Sequence, residues 1–131
     1  MLDSHDIVAI QEVLALYGHV IDEREWSRMD EVFTDDHHFY SSTGRVFRSL
    51  EELRAYWLGP EVTHPIGHHV TNIIVTPVDG DTASCISKGL YVRGEAQITS
   101  AVYRDLVVRT ANGWRLRERR ITVHHHDRLA D

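Results

Sequence analysis

From Gly67 onward the chain is predicted to be almost entirely β-strand, because β-branched and aromatic residues are frequent and short turns divide it. The turns lie at Asp79-Gly80, at Arg93-Gly94-Glu95 and at Asn112-Gly113, and the last pair is a strong hairpin signal. Consecutive strands joined in this way form an antiparallel sheet. One face of such a sheet has to be covered, so the preceding part of the chain must supply the cover.

Helices are predicted to provide that cover. Apolar residues recur at helical spacing from Asp3 to about Asp22, with Tyr17 on the apolar stripe. A second, shorter helix buries a face that ends at Phe33, and a capping box at Ser49 opens a third helix that carries Trp57. Asp35-Asp36 interrupts the pattern before a short strand from His38 to Tyr40, which returns from Arg45 to Phe47.

The order of these elements predicts an α+β domain in which three N-terminal helices pack on a strongly curved, mostly antiparallel sheet. At 131 residues the chain is expected to form one domain, 1–131. A sheet curled around the first helix can enclose a blind cavity. Phe33, Tyr40, Trp57 and Val102 are predicted to line it.

Composition narrows the classes of partner. The net charge of −6 argues against nucleic acid and against an anionic membrane, since both select basic surfaces. No apolar run approaches the roughly 20 residues that span a bilayer, and no signal-peptide core is present at the N-terminus. Cys85 is the single cysteine and is expected to be a packing residue. A cytoplasmic location is the default expectation.

His68 and His69 lie near the start of the first long strand, where adjacent side chains point to opposite faces. One imidazole should therefore point inward, and an inward histidine is a candidate proton carrier because its ordinary pKa is about 6.5. The alternative is a core histidine that bonds a backbone group. Strand phase alone does not choose between the two histidines.

The remaining histidines and arginines give weaker indications of a functional site. His64, His68 and His69 lack a cysteine or a carboxylate at ligand spacing, so no metal is expected. The pair His37-His38 is predicted at the surface, and His124-His125-His126 in a mobile tail or at a subunit contact. Three arginines alternate along the last strand and are predicted on one solvated or subunit-facing face: Arg115, Arg117 and Arg119.

Several fragments, taken in order, resemble the SnoaL-like branch of the nuclear transport factor 2-like superfamily. They are Tyr17-Gly-His-Val-Ile-Asp22-Glu-Arg-Glu-Trp26, Phe33-Thr-Asp-Asp36, Gly67-His-His69-Val-Thr-Asn72, Asp79-Gly-Asp81-Thr-Ala83, Tyr103-Arg-Asp105 and Asn112-Gly-Trp114-Arg. Within that branch the chain is most similar to the scytalone dehydratase, bile acid 7α-dehydratase and hexachlorocyclohexane dehydrochlorinase group. The resemblance implies a cone-shaped α+β barrel with a deep apolar pocket. It also implies elimination by a His–Asp pair assisted by tyrosines, with no metal and no cofactor.

Carried over residue by residue, the resemblance places the catalytic aspartate at Asp22 and the histidine at His69. It places the assisting tyrosines at Tyr17 and Tyr40. The chain departs from the scytalone dehydratase pattern at Ile21, where that enzyme has a tyrosine, and it has no histidine between Tyr91 and Glu95. Acid assistance to a leaving group must therefore come from another residue.

Two classes of function follow. The first is a cofactor-independent lyase or isomerase that acts on a small hydrophobic, cyclic molecule by His–Asp general base catalysis. The alternative is a non-catalytic binding or assembly subunit, like the small subunit of ring-hydroxylating dioxygenases. In either case a homo-oligomer, dimer or trimer, is expected through the last two strands, where apolar residues and arginines mix.

Overall fold

The computed structural model describes residues 1–124. It contains helix α1 (Ser4–Asp22), a 3₁₀ helix (Trp26–Glu31), strands β1 (Phe33–Tyr40) and β2 (Val46–Phe47), helix α2 (Leu50–Leu58), and strands β3 (Gly67–Asp79), β4 (Thr82–Val92), β5 (Ile98–Thr110) and β6 (Gly113–His124). The predicted histidine tail lies largely beyond these residues, since His125 and His126 are outside the described part.

The six strands form one curved, unclosed sheet in the order β2-β1-β6-β5-β4-β3. The β1–β6 pair is parallel and the other pairs are antiparallel, so the predicted α+β class with a mixed, mostly antiparallel sheet is confirmed. Helix α1 packs across the inner face against β3 and β6. Asp3 caps that helix in a capping box with Asp6, and Tyr17 and Ile21 are buried. No helix in the described part of the chain is long and apolar enough to cross a bilayer.

Strand β1 differs from its prediction. It begins at Phe33 rather than at His38, and it continues through the exposed Asp35-Asp36 pair because its pairing with β6 is irregular between Phe33 and His38. His37 lies an even number of residues from the buried Phe33 and Phe39, so strand alternation places it on the same inner face. Its side chain is fully buried there, and the predicted surface position of His37 is wrong.

Strand β6 also contains a bulge. Leu106 pairs with Glu118 while Val107 pairs with Leu116, which leaves Arg117 as the extra residue. Alternation restarts after the bulge, so Arg119 points inward and is completely buried, whereas Arg117 is exposed. The prediction that Arg115, Arg117 and Arg119 share one face is therefore wrong, because one added residue reverses every later side chain.

The predicted cavity lining is wrong as well. Phe33 and Trp57 are buried against each other and against Tyr17, with ring centroids about 6 Å apart. Val102 and Tyr40 are each adjacent to an inward-facing residue on their strands, and adjacent strand residues face opposite ways. Both side chains therefore point away from the helices. Arg120 lies 3.7 Å above the Tyr40 ring on that outer face. Aromatic side chains thus fill the space in which the cavity was expected.

Candidate active site

Asp22, at the end of α1, is hydrogen-bonded to His68, near the start of β3. His68 Nδ1 lies 2.6 Å from Asp22 Oδ1, and the backbone N–H of His68 donates to Oδ2 at 2.9 Å. A carboxylate only accepts hydrogen bonds, so the proton of the neutral imidazole is on Nδ1. The lone pair of Nε2 is thereby left available as a base.

The histidine of this pair is not the one that the resemblance indicated. His69 is exposed, and its neighbour His68 occupies the position next to Asp22. Because adjacent residues of a strand face opposite ways, an assignment displaced by one position selects the wrong face. The prediction that His69 pairs with Asp22 inside a cavity is wrong.

Gly18 explains how the helix approaches the strand so closely. A Cβ at position 18 would lie 2.8 Å from the backbone oxygen of His68 and 3.3 Å from its Cβ. Asp22 lies one helical turn further on, so this close approach holds its carboxylate against the imidazole. A glycine inside an amphipathic helix was the sequence signal for this contact.

Replacing Gly18 with alanine is expected to destabilise the protein by about 1–3 kcal/mol, although alanine favours a helix by about 1 kcal/mol. The added methyl group collides with backbone rather than with a flexible side chain, so the start of β3 must move. Urea unfolding measures the change. Gly94→Ala is the control, since nothing lies within 4 Å of a Cβ there. A Gly18→Ala protein as stable as the parent would contradict this packing account.

Aromatic rings enclose the imidazole of His68. The edges of Tyr17 and Tyr91 contact it, with centroid distances of 5.9 Å and 5.1 Å. Burial lowers the pKa of His68 below its ordinary value, although the hydrogen bond to Asp22 acts in the opposite direction. The ring is therefore neutral at neutral pH, which is the form that accepts a proton.

A buried ion pair lies on the other side of Tyr17. Arg119 donates to both carboxylate oxygens of Asp105 at 2.7 and 2.8 Å, and both side chains are fully buried. The guanidinium lies 4.2 Å from the Tyr17 ring centroid and 3.9 Å from that of Tyr103. Burial acts to lower the pKa of Arg119, but the Asp105 carboxylate outweighs it and holds the pKa above its ordinary value.

The structure thus brings together only some of the predicted residues. Asp22 and Tyr17 meet at the site, and Phe33 and Trp57 pack behind Tyr17. The void that touches His68 measures about 10 Å³, which is too small for a ring. Among residues 1–124 no group of three or more histidine, cysteine or acidic side chains is placed to hold a metal ion.

The fold and the site define a small α+β domain with a half-buried His–Asp pair between its first helix and a curved sheet. The model of the SnoaL-like domain matches residues 3–120, and the chain belongs to this family. The uncharacterised protein Rv2910c of Mycobacterium tuberculosis is 30% identical over 119 residues, which are 85% of this chain and 80% of the relative.

Two solved structures share the fold. A scytalone dehydratase-like protein of Novosphingobium aromaticivorans superposes with a TM-score of 0.78 at 19% identity, over 92% of this chain and 85% of that one. A hexachlorocyclohexane dehydrochlorinase superposes with a TM-score of 0.78 at 18% identity, over 92% and 86%. The predicted resemblance to this branch of the superfamily is confirmed, and at these identities the two structures establish the fold.

Proposed function

We propose that the protein is a cofactor-independent lyase or isomerase that acts on a small hydrophobic, cyclic molecule, with His68 as general base. The observation that carries the proposal is the 2.6 Å bond from His68 Nδ1 to Asp22, which fixes the ring with Nε2 unprotonated. The names of the two structural neighbours, a dehydratase and a dehydrochlorinase, agree with this class of chemistry.

In the proposed reaction His68 Nε2 takes a proton from a carbon next to an activating group such as a carbonyl. Asp22 orients the ring and stabilises the imidazolium that forms. The electron pair left on the carbon then either expels a leaving group from the adjacent carbon or is protonated at another position. The first course is elimination and the second is isomerisation.

Tyr91 is the residue that we propose as hydrogen-bond donor to the leaving group or to the developing oxyanion. The ring centroids of Tyr91 and His68 are 5.1 Å apart. Tyr91 also begins the stretch in which the scytalone dehydratase pattern has a second histidine and this chain has none. Burial raises the pKa of Tyr91, so the phenol stays protonated and can donate. Because the void beside His68 is small, a substrate requires rotation of the surrounding aromatic side chains.

The filled interior favours a second candidate, the non-catalytic binding or assembly subunit. An assembly subunit needs neither a ring-sized cavity nor a base, and a binding subunit needs no base. The two candidates are distinguished by incubating the protein with a panel of cyclic ketones and cyclic β-hydroxy ketones in D₂O. An enzyme of the proposed class incorporates deuterium next to the carbonyl or eliminates water. A protein that binds these compounds and catalyses neither change is a binding subunit.

We also propose that copies of the chain associate through the outer face of the sheet, at β3 and β4 rather than at the last two strands as the sequence indicated. Ile74, Ile86 and Leu90 lie on β3 and β4 with 61%, 38% and 39% of their surface exposed. Ile74 and Ile86 are directly paired, so their side chains form a continuous apolar surface. Sedimentation at micromolar concentration should show a dimer or trimer, and a single 15.1 kDa species would contradict it.

A further inference from the structure

Tyr103 is a buried tyrosine whose hydroxyl the proposed chemistry does not use. Its side chain is 1% exposed, and the hydroxyl completes no hydrogen bond within residues 1–124. An unpaired buried hydroxyl is unfavourable, so its presence calls for a reason. Tyr103 also lines the small void that touches His68, which places it at the candidate site.

Gly89 shows where the hydroxyl end of Tyr103 lies. Tyr103 is paired with Ser87 on β4, and its ring extends over that strand, so a Cβ at position 89 would lie 2.4 Å from both Cζ and the hydroxyl oxygen. Only a residue without a side chain allows this approach, which explains a glycine in the middle of β4. Tyr91 is the next inward residue after Gly89 on the same strand. The hydroxyl of Tyr103 is therefore placed beside Tyr91.

Tyr103 and Tyr91 are suited to act as donor and acceptor. Their ring centroids are 6.2 Å apart, with the ring planes inclined by 34°. Burial raises the pKa of Tyr91, and hydrogen bonding from Tyr103 is the largest influence in the opposite direction. The pKa of Tyr103 is itself raised well above its ordinary value, chiefly by burial, so this phenol stays protonated. A phenol that accepts one hydrogen bond still has its own hydrogen to donate to a third group.

The ring of Tyr103 is held by contacts that do not involve its hydroxyl. The Arg119 guanidinium lies 3.9 Å from the ring centroid, and the Tyr17 ring meets it edge-on at a centroid distance of 5.9 Å. Removal of the hydroxyl alone leaves both contacts in place, so the Tyr103→Phe protein is expected to fold.

We propose that Tyr103 is a positioning residue, which donates a hydrogen bond to the Tyr91 oxygen and so strengthens Tyr91 as a donor to the substrate. The chain runs from the Tyr103 hydroxyl to Tyr91, and from the Tyr91 hydrogen to the leaving group or the oxyanion. Hydrogen bonds in such a chain reinforce one another, because each polarises the next. This inference rests on the proposed function, since Tyr91 serves as a donor only in that reaction.

Alkaline titration of Tyr91, followed through its ¹³Cζ resonance in protein labelled at tyrosine, tests the hydrogen bond without any substrate. Tyr103→Phe should move the ionisation of Tyr91 to higher pH, because the phenolate loses a donor. The charges of Arg119 and Arg93 also lower the pKa of Tyr91, but the variant keeps both. Tyr56→Phe is the matched control, since Tyr56 lies on α2, and it should leave the titration unchanged. An unchanged titration in Tyr103→Phe would overturn the proposal.

Kinetics on a compound that is turned over test the assigned role. Tyr103→Phe should lower kcat about 3- to 10-fold, the range that one neutral hydrogen bond supplies, and leave KM within about twofold. In a Tyr91→Phe background the same change should have no further effect, because Tyr103 acts through the Tyr91 hydroxyl. An equal loss in both backgrounds would overturn the assignment and show a structural role. If no compound is turned over, the proposed function fails, and the titration alone confirms or overturns the hydrogen bond.

Discussion

Replacing His68 with alanine is expected to lower the rate of the catalysed reaction about 10²–10⁴-fold, which is the usual contribution of a positioned general base. The expectation follows from the bond to Asp22 and from the lowered pKa, which together present a neutral imidazole with a free Nε2. The rate is measured on whichever compound of the ketone panel is turned over.

His69→Ala provides the matched control for this variant. The two histidines are adjacent, but His69 is exposed and has no bond to Asp22. Its removal should leave the rate within about twofold, since no group of the proposed reaction is lost. The reverse result, a large loss with His69→Ala and little with His68→Ala, would return the base to the position that the resemblance indicated.

Replacing Asp105 with leucine is expected to destabilise the protein by about 3–5 kcal/mol, because it leaves the Arg119 charge buried without a partner. Both members of the pair are completely buried, and the Arg119 guanidinium lies against the aromatic rings of Tyr17 and Tyr103. Replacing both residues, Asp105→Leu with Arg119→Met, should restore most of the loss, since no unpaired charge remains.

Urea unfolding of the single and double variants measures this effect. Asp36→Ala is the control, because its 3.4 Å contact with Arg117 lies at the surface and such pairs contribute about 0–1 kcal/mol. If the single and double variants were equally unstable, the loss would come from packing rather than from an isolated charge. If Asp105→Leu were as stable as the parent, the buried ion pair would have no role in stability.

Much of the fold could be predicted because its signals are local. Asp3 caps the first helix, and Asn112-Gly113 marks a hairpin between strands that pair as expected. Each of these features depends only on residues that are close in sequence. The fold class, the order of elements and the approximate ends of the strands follow from such signals.

The misplaced residues depend on register, which local signals do not determine. A bulge in β6 turns Arg119 inward, and His37 lies on the inner face because β1 begins at Phe33, earlier than the sequence pattern indicated. The bulge is not visible in the sequence as a turn or a proline, and it reverses the side chains that follow. A signal for the ion pair did exist, since Asp105 shares a strand face with Tyr103 and Val107, and a buried acid needs a partner.

The site was predictable only to within one residue. The resemblance supplied both members of the pair; Asp22 does pair with a histidine, but that histidine is His68 and not His69. Gly18 would have indicated where the helix touches β3, since it sits opposite His68. A close contact of this kind fixes the strand phase that the sequence pattern leaves open.

The central claim is that His68 is held by Asp22 as a neutral base, and long-range ¹H–¹⁵N NMR of the imidazoles tests it most directly. At neutral pH the account predicts that His68 carries its proton on Nδ1 and none on Nε2. On acidification the ring should take up its second proton below the ordinary pKa of about 6.5. A His68 ring that is doubly protonated at neutral pH, or that carries its single proton on Nε2, would contradict the account.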